Sequence, residues 1–270
     1  MSETWILLRG LVRQSRHWDD FPTMLAEARP QARVHALDLP GNGSLYREPS
    51  PDTVEGMVDA LRGQAAAQGL EPPYHLMALS LGGMMAVNWL SRYPEDIAAA
   101  VLINTSAAGF NPFWQRLRAT NYLALLRHLA FTRNPLPREE AILRLTCNLL
   151  AADEERAIAL RWAALAHEAP TSRSNALRQL RAAIRFRAPA QLPASVPVLL
   201  ASGAGDRLVH PACSVTLSGA WRCALRVHPH AGHDLALDAP RWLAATVTDW
   251  VEHLNSQVSL APGCATVPAS

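Results

Sequence analysis

Ser80 sits in the stretch YHLMALSLGGMMAVNWL (Tyr74–Leu90), at the junction where a short apolar, strand-like run gives way to a helical pattern. A hydroxyl in a tight turn at the carboxyl end of a strand points outward, toward the edge where open parallel sheets bind ligands. The helix that follows aims backbone N–H groups at the same spot, where they can stabilise negative charge. A serine hydroxyl is a poor nucleophile until a base takes its proton, and the base in turn needs an orienting acid. Two further segments hold suitable side chains at the ends of separate apolar runs. Asp206 follows VPVLLAS in GAGDRLVHP, and His233 follows ALRVHP in HAGHDLALDAP. Each also has a plain structural reading: a helix cap for Ser80, turn chemistry for Asp206, and one of ten histidines for His233.

The elements that must position these residues are legible as a pattern. Four runs in the first third, at Trp5–Leu8, Arg33–Asp38, Tyr74–Leu79 and Ala98–Asn104, read as buried strands. They are short, mostly apolar and flanked by Gly, Pro, Asn or Ser, as central parallel strands often are. Between them lie helix-length segments such as Pro51–Gln68, where Val54, Met57, Val58, Leu61 and Ala65 fall at helical spacing. From about Pro112 to Ala188 the strands vanish, and prolines 135, 137 and 170 divide the text into three or four helices. The alternation resumes at Val196–Gly203 and Cys223–Pro229, and a last helix lies near Ala239–Leu254. The expectation is an α/β fold with helices on both faces of a mainly parallel sheet, interrupted by an all-helical insert. The boundaries read 1–111 for the first part of the core, 112–188 for the insert, 189–255 for the rest of the core and 256–270 for a disordered tail.

Ala78-Leu79-Ser80-Leu81-Gly82 resembles the nucleophile elbow, G-x-S-x-G, of the α/β-hydrolase superfamily, with alanine in place of the first glycine. The resemblance extends over roughly Trp5–Phe110 and Val196–Leu254. In that superfamily the triad runs in the order Ser, acid, His, which implies Ser80 as nucleophile, Asp206 as acid and His233 as base. The position after the fourth run, where some relatives keep the acid, holds Asn104. The resemblance also implies an oxyanion hole made by the backbone N–H groups of Leu81 and Leu11. Leu11 follows Gly10 in ILLRGLVRQSRHW, where Arg9 replaces the family's histidine. Arg9 shifts the local packing, or places a positive charge near the pocket, with Gly10 beside it in the substrate site, or points to solvent. The segment ALDLPGNGS resembles a family loop in which Asp38, Pro40, Gly41, Gly43 and Ser44 shape a turn. About six parallel strands are expected.

The insert occupies the position of the family's cap. It carries 13 of the 25 basic residues, all arginine, and 6 of the 23 acids, a net +7 against −5 for the remainder. Those arginines either pair with the acids of the core or dock an acidic, acyl carrier protein- or coenzyme A-linked substrate. Trp114 and Tyr122, with Leu117, Leu125, Leu126, Phe131, Leu149 and Trp162, either line an acyl pocket or form the insert's own core. The insert layout and LSLGG are similar to those of small carboxylesterases, including the esterases that demethylate pimeloyl-acyl carrier protein methyl ester.

The activity this implies is cleavage of a small-molecule carboxylic ester or thioester, with no metal and no organic cofactor. Acyltransferases, lyases, perhydrolases and a non-catalytic receptor share the constellation and remain alternatives. A net charge of +2 gives no global reason to expect nucleic acid binding. Cys147, Cys213, Cys223 and Cys264 show no C-x-x-C pair, which favours a reducing compartment, and cytoplasm is the default expectation. No stretch reaches the roughly 20 apolar residues of a membrane span.

Overall fold

The computed structural model describes residues 3–118 and 134–260, with side chains to 257. Six strands, β1 (Glu3–Leu8), β2 (Ala32–Leu37), β3 (Tyr74–Leu79), β4 (Ile97–Ile103), β5 (Val198–Gly203) and β6 (Ala224–His228), form one sheet in the order β2-β1-β3-β4-β5-β6. All five pairings are parallel.

The central strands β1, β3, β4 and β5 read as nearly unbroken apolar runs because alternate side chains enter two different cores. Strand β2, expected to be buried, and β6 lie at the sheet edges, are only partly buried and carry Arg33, His35, Arg226 and His228. Ile6, Leu8, Leu76, Ala78, Ala100, Leu102 and Leu200 pack on one face against α2 (Val54–Ala67) and α3 (Leu81–Arg92). Trp5, Leu7, Met77, Leu79, Val101, Ile103 and Leu199 pack on the other, against α1 (Phe21–Ala28) and the C-terminal helix. All five apolar positions picked out at helical spacing in α2 are buried, and Thr53 caps that helix by accepting the Gly56 N–H.

Helix α4 (Phe113–Arg116) is one turn long. After it come α5 (Pro135–Thr146), α6 (Ala152–Glu168) and α7 (Arg173–Arg185). Asn134 and Ser172 cap α5 and α7, and the prolines at 135 and 170 fall at or just before helix starts, where a missing N–H costs nothing. Helices α5 and α6 enclose a small core of Leu143, Cys147, Ile158, Ala159 and Trp162. Trp162 is therefore interior packing, whereas Trp114 and Leu149 are exposed. Tyr122, Leu125, Leu126 and Phe131 lie outside the described residues.

Beyond β5, α8 (Ala212–Trp221) leads to β6, and the short α9 (Leu235–Asp238) leads to α10 (Pro240–Leu260). α10 continues past 255, where the tail was expected to begin, because no Pro or Gly interrupts it before Pro262. No described helix is long and apolar enough to cross a membrane.

Candidate active site

The turn from β3 into α3 holds Ser80 at φ 58°, ψ −115°, a region that L-residues seldom occupy. Three features over-determine it. The Ser80 N–H donates to the Ile103 carbonyl at 2.9 Å, the Thr105 hydroxyl donates to the Ser80 carbonyl at 2.8 Å, and α3 begins at the next residue. Gly82 makes the bend possible: a Cβ there would stand 2.3 Å from the Leu8 carbonyl oxygen, so strand β1 and helix α3 meet only without a side chain. Among the described residues, every hydrogen bond of Ser80 runs through its main chain, which leaves Oγ unengaged.

The loop after β1 passes directly beside the serine. A Cβ on Gly10 would lie 3.2 Å from Ser80 Cβ, and Arg13 N–H closes a turn back to the Gly10 carbonyl at 3.3 Å. Leu11 sits in that turn. Leu81, as the first residue of α3, has an N–H that no intrahelical carbonyl can satisfy. The Val12 N–H, one residue further on, donates to Gln179 Oε1 of α7 at 2.9 Å.

Asp206 and His233, 27 residues apart, are hydrogen-bonded. His233 Nδ1 lies 2.7 Å from Asp206 Oδ2, and both side chains are almost wholly buried. The other Asp206 oxygen accepts the N–H groups of Leu208 and Val209 at 2.7 and 2.9 Å, which fixes the carboxylate plane. The histidine loop is held from several directions. Asn104 Nδ2 donates to the Gly232 and His233 carbonyls at 3.2 and 2.7 Å, while its Oδ1 accepts from the Ser202 hydroxyl and the Gly203 N–H. Asp238 accepts the Gly232 N–H at 2.6 Å, and the Asp234 N–H donates to the Thr146 carbonyl at 2.9 Å.

Arg9 does not point to solvent. It is 4% exposed and makes a two-pronged ion pair with Asp234, at 3.1 and 2.5 Å, over the Trp18 ring. Burial and a bound carboxylate thus engage the guanidinium that the sequence offered to substrate. Trp114 is 56% exposed and packs edge-on against Phe113, and Tyr122 lies outside the described residues. Asp38 receives the Ser44 N–H and hydroxyl within its own loop and the Ser15 N–H from the segment after β1.

Sequence reasoning missed Asp234, Gln179 and Asp238, and it weighed Asn104 only as a failed acid. The one available signal was a charged residue directly after His233, in a loop with no reason of its own to bury a charge.

Cys147, Cys213 and Cys223 are free thiols, and Cys264 lies outside the described residues. Burial, followed by the carboxylates of Asp234 and Asp238, pushes the Cys147 thiol well above its ordinary value. Beside the loop after β1, His17 is buried between Arg13 and Trp162, and its Nδ1 accepts the Gln14 N–H at 3.1 Å. Burial, then the charges of Arg13, Arg9 and Arg16, hold its pKa well below 6.5. The folded form therefore binds fewer protons than the unfolded chain once the pH falls below 6.5. This contribution is complete above 6.5 and is lost as the pH drops toward the depressed folded value. The thermal midpoint should fall as pH is lowered from about 7.5 to about 5, with a shallower slope in His17→Gln; equal slopes would refute the assignment.

Residues 5–246 match the model of the alpha/beta hydrolase family. The chain is 34% identical over 73 residues to a pimeloyl-[acyl-carrier protein] methyl ester esterase of Chromobacterium violaceum, covering 27% of this chain and 26% of that protein. It is 36% identical over 114 residues to carboxylesterase YbfK of Bacillus subtilis, covering 40% of this chain and 36% of that protein. The matches thus span about a quarter and a third of these curated relatives. Among solved structures, 2-hydroxy-6-oxo-6-phenylhexa-2,4-dienoate hydrolase of Rhodococcus sp. strain RHA1 superposes with TM-score 0.73 at 25% identity, covering 94% of this chain and 91% of that one. A thermophilic esterase of Thermogutta terrifontis superposes equally well, TM-score 0.73, at 20% identity over 94% of this chain and 91% of that one.

Proposed function

Because the chain belongs to the alpha/beta hydrolase family, we propose that it is a serine hydrolase that cleaves a carboxylic ester or thioester through an acyl-enzyme. The observation that carries this reading is the buried 2.7 Å contact between Asp206 and His233, with Ser80 held at positive φ in the turn after β3. The Ser80 N–H is on the Ile103 carbonyl, and the His233 carbonyl is tied to Asn104, the residue after Ile103. His233 Nε2 takes the Ser80 proton as Oγ attacks the substrate carbonyl carbon, and the carbonyl π pair moves onto oxygen. The N–H groups of Leu11 and Leu81 hold that oxyanion; losing one such donor typically costs about 10²–10³ in rate. Asp206 keeps Nδ1 protonated and stabilises the imidazolium. His233 returns the proton to the departing alcohol or thiol, then takes one from the water that releases the acid. The Ser80–His233 proton path closes on substrate binding, since such contacts tighten in the Michaelis complex.

Residues 112–188 act as the cap in this reading. Its support is the set of contacts that fasten α5–α7 to the loop after β1: Arg13 with Glu139 at 2.6 Å, Trp162 Nε1 to Asp19 at 2.9 Å, and Val12 to Gln179. The reading is tested by a fluorophosphonate probe followed by peptide mapping. Stoichiometric modification at Ser80 is expected; modification elsewhere, or none, would sink it. Products formed with water against a competing alcohol or peroxide separate hydrolysis from acyl transfer and perhydrolysis.

The exposed arginines of α7, Arg173, Arg178, Arg181 and Arg185, on a helix with no acid of its own, support an acidic carrier on the substrate. Arg178 is also bonded to the Ser50 carbonyl, and Arg181 is also paired with Asp52 of the core at 3.5 Å. For an acyl carrier protein ester, kcat/KM should then decline steeply between low and physiological salt, while a small ester shows no such trend. Matching salt profiles would remove the carrier from the proposal.

A further inference from the structure

The geometry points to Arg9 as a positioning residue that ties the oxyanion loop to the base loop through Asp234. The inference rests on the reading of His233 as base and Leu11 as oxyanion donor. Arg9 is two residues before Leu11, and Asp234 directly follows His233. Their side chains meet in a bidentate pair whose members are 225 residues apart and only 3% and 4% exposed. Gly10, between Arg9 and Leu11, lies beside Ser80, since a Cβ on it would stand 3.2 Å from Ser80 Cβ. One rigid link therefore connects the groups that must act on the same tetrahedral centre from opposite sides.

Stability alone gives no reason for this pair. Desolvating two charges offsets most of their attraction, and an apolar pair of similar volume is commonly as stable. Here the arrangement carries an additional cost, because Arg9 Nε is buried without a hydrogen-bond partner among the described residues. What the pair supplies is direction: a planar fork on a carboxylate fixes both distance and angle, which a lysine or an apolar contact cannot. The Trp18 ring, 4.9 Å from the guanidinium carbon, braces the fork from the side. On the other side, Asp234 is tethered by its own N–H to the Thr146 carbonyl. Leu11 and His233 are thereby set relative to each other before substrate arrives.

The test compares wild type, Arg9→Met/Asp234→Leu, Arg9→Lys and Ser80→Ala. Active sites are titrated with a fluorophosphonate, and kcat is expressed per titrated site. The double variant removes both charges together and so avoids stranding one of them. It should melt close to wild type and keep KM within about twofold, while kcat per site falls about 10- to 100-fold, the penalty of a misplaced reacting group. Arg9→Lys keeps the cation and stem but loses the fork, and its kcat per site should fall to an intermediate level. This variant decides the matter if the double variant does not fold.

A kcat per site within about twofold of wild type would overturn the positioning role, including where activity and titratable sites decline in proportion. Wild-type hydrolysis without labelling at Ser80, or activity that survives Ser80→Ala, overturns the underlying serine mechanism instead.

Discussion

Ser80→Ala is expected to reduce hydrolysis of p-nitrophenyl esters, from acetate to decanoate, by at least about 10⁴-fold. The substitution removes one atom that no described residue uses. The Ser80 backbone donates to Ile103 and accepts from Thr105, and alanine keeps both bonds. Alanine also keeps Cβ and inherits the same positive φ, so the strain of the turn is unchanged. The thermal midpoint should therefore stay near that of wild type while turnover disappears. Any residual rate would come from binding and the oxyanion donors, which still act on water. Wild type should show an optimum in acyl chain length, because in the proposed reading a cap over the acyl group rewards filling and penalises overfilling. Activity within tenfold of wild type in a folded Ser80→Ala protein would exclude the serine as nucleophile.

Asp206→Asn is expected to lower kcat by about 10⁴ with little change in KM. Asparagine matches aspartate in shape, and its carbonyl oxygen can still accept from Leu208 and Val209. Its amide then faces His233 Nδ1, where a hydrogen-bond donor meets a nitrogen that must also donate. The imidazole responds by moving its proton to Nε2, the atom that has to accept from serine. The fold is kept and the base is disabled. A steady-state comparison across about pH 6–9, paired with a melting curve, separates this from unfolding. A kcat within tenfold of wild type would show that the 2.7 Å contact orients nothing that matters to turnover.

The two variants differ in what they leave behind. Ser80→Ala should lose fluorophosphonate labelling altogether, whereas Asp206→Asn should label slowly but at the same residue. Together they distinguish a missing nucleophile from an intact one without a working base.

Much of this arrangement was legible in the amino-acid order alone, and the reason is local. The central strands could be read because parallel strands buried on both faces need apolar residues at nearly every position, so Trp5–Leu8, Leu76–Leu79 and Val198–Ala201 stand out without any partner. The edge strands β2 and β6, by contrast, are mixed in composition and only partly buried. The turn at Ser80 could be read because the small residues Ala78 and Gly82 lie within five positions of one another in the sequence, although the backbone that excludes a side chain at Gly82 is Leu8 of the neighbouring strand. The proline-marked helix starts at 135 and after 170 are local. The chemical types at 206 and 233 are likewise visible as an acid and a histidine at strand ends.

Tertiary structure alone decided what those loops do to one another. The order β2-β1-β3-β4-β5-β6 brings the ends of β1, β3, β4, β5 and β6 to one edge, and only there do Arg9 and Asp234, or Asn104 and the His233 carbonyl, become neighbours. An arginine replacing a histidine at position 9 carries no mark in the sequence of the carboxylate that neutralises it, because a buried charge is compensated by whatever the fold places alongside. Hydrophobic periodicity and turn sterics are encoded within a few residues, whereas the pairing of distant polar groups is a property of the assembled sheet.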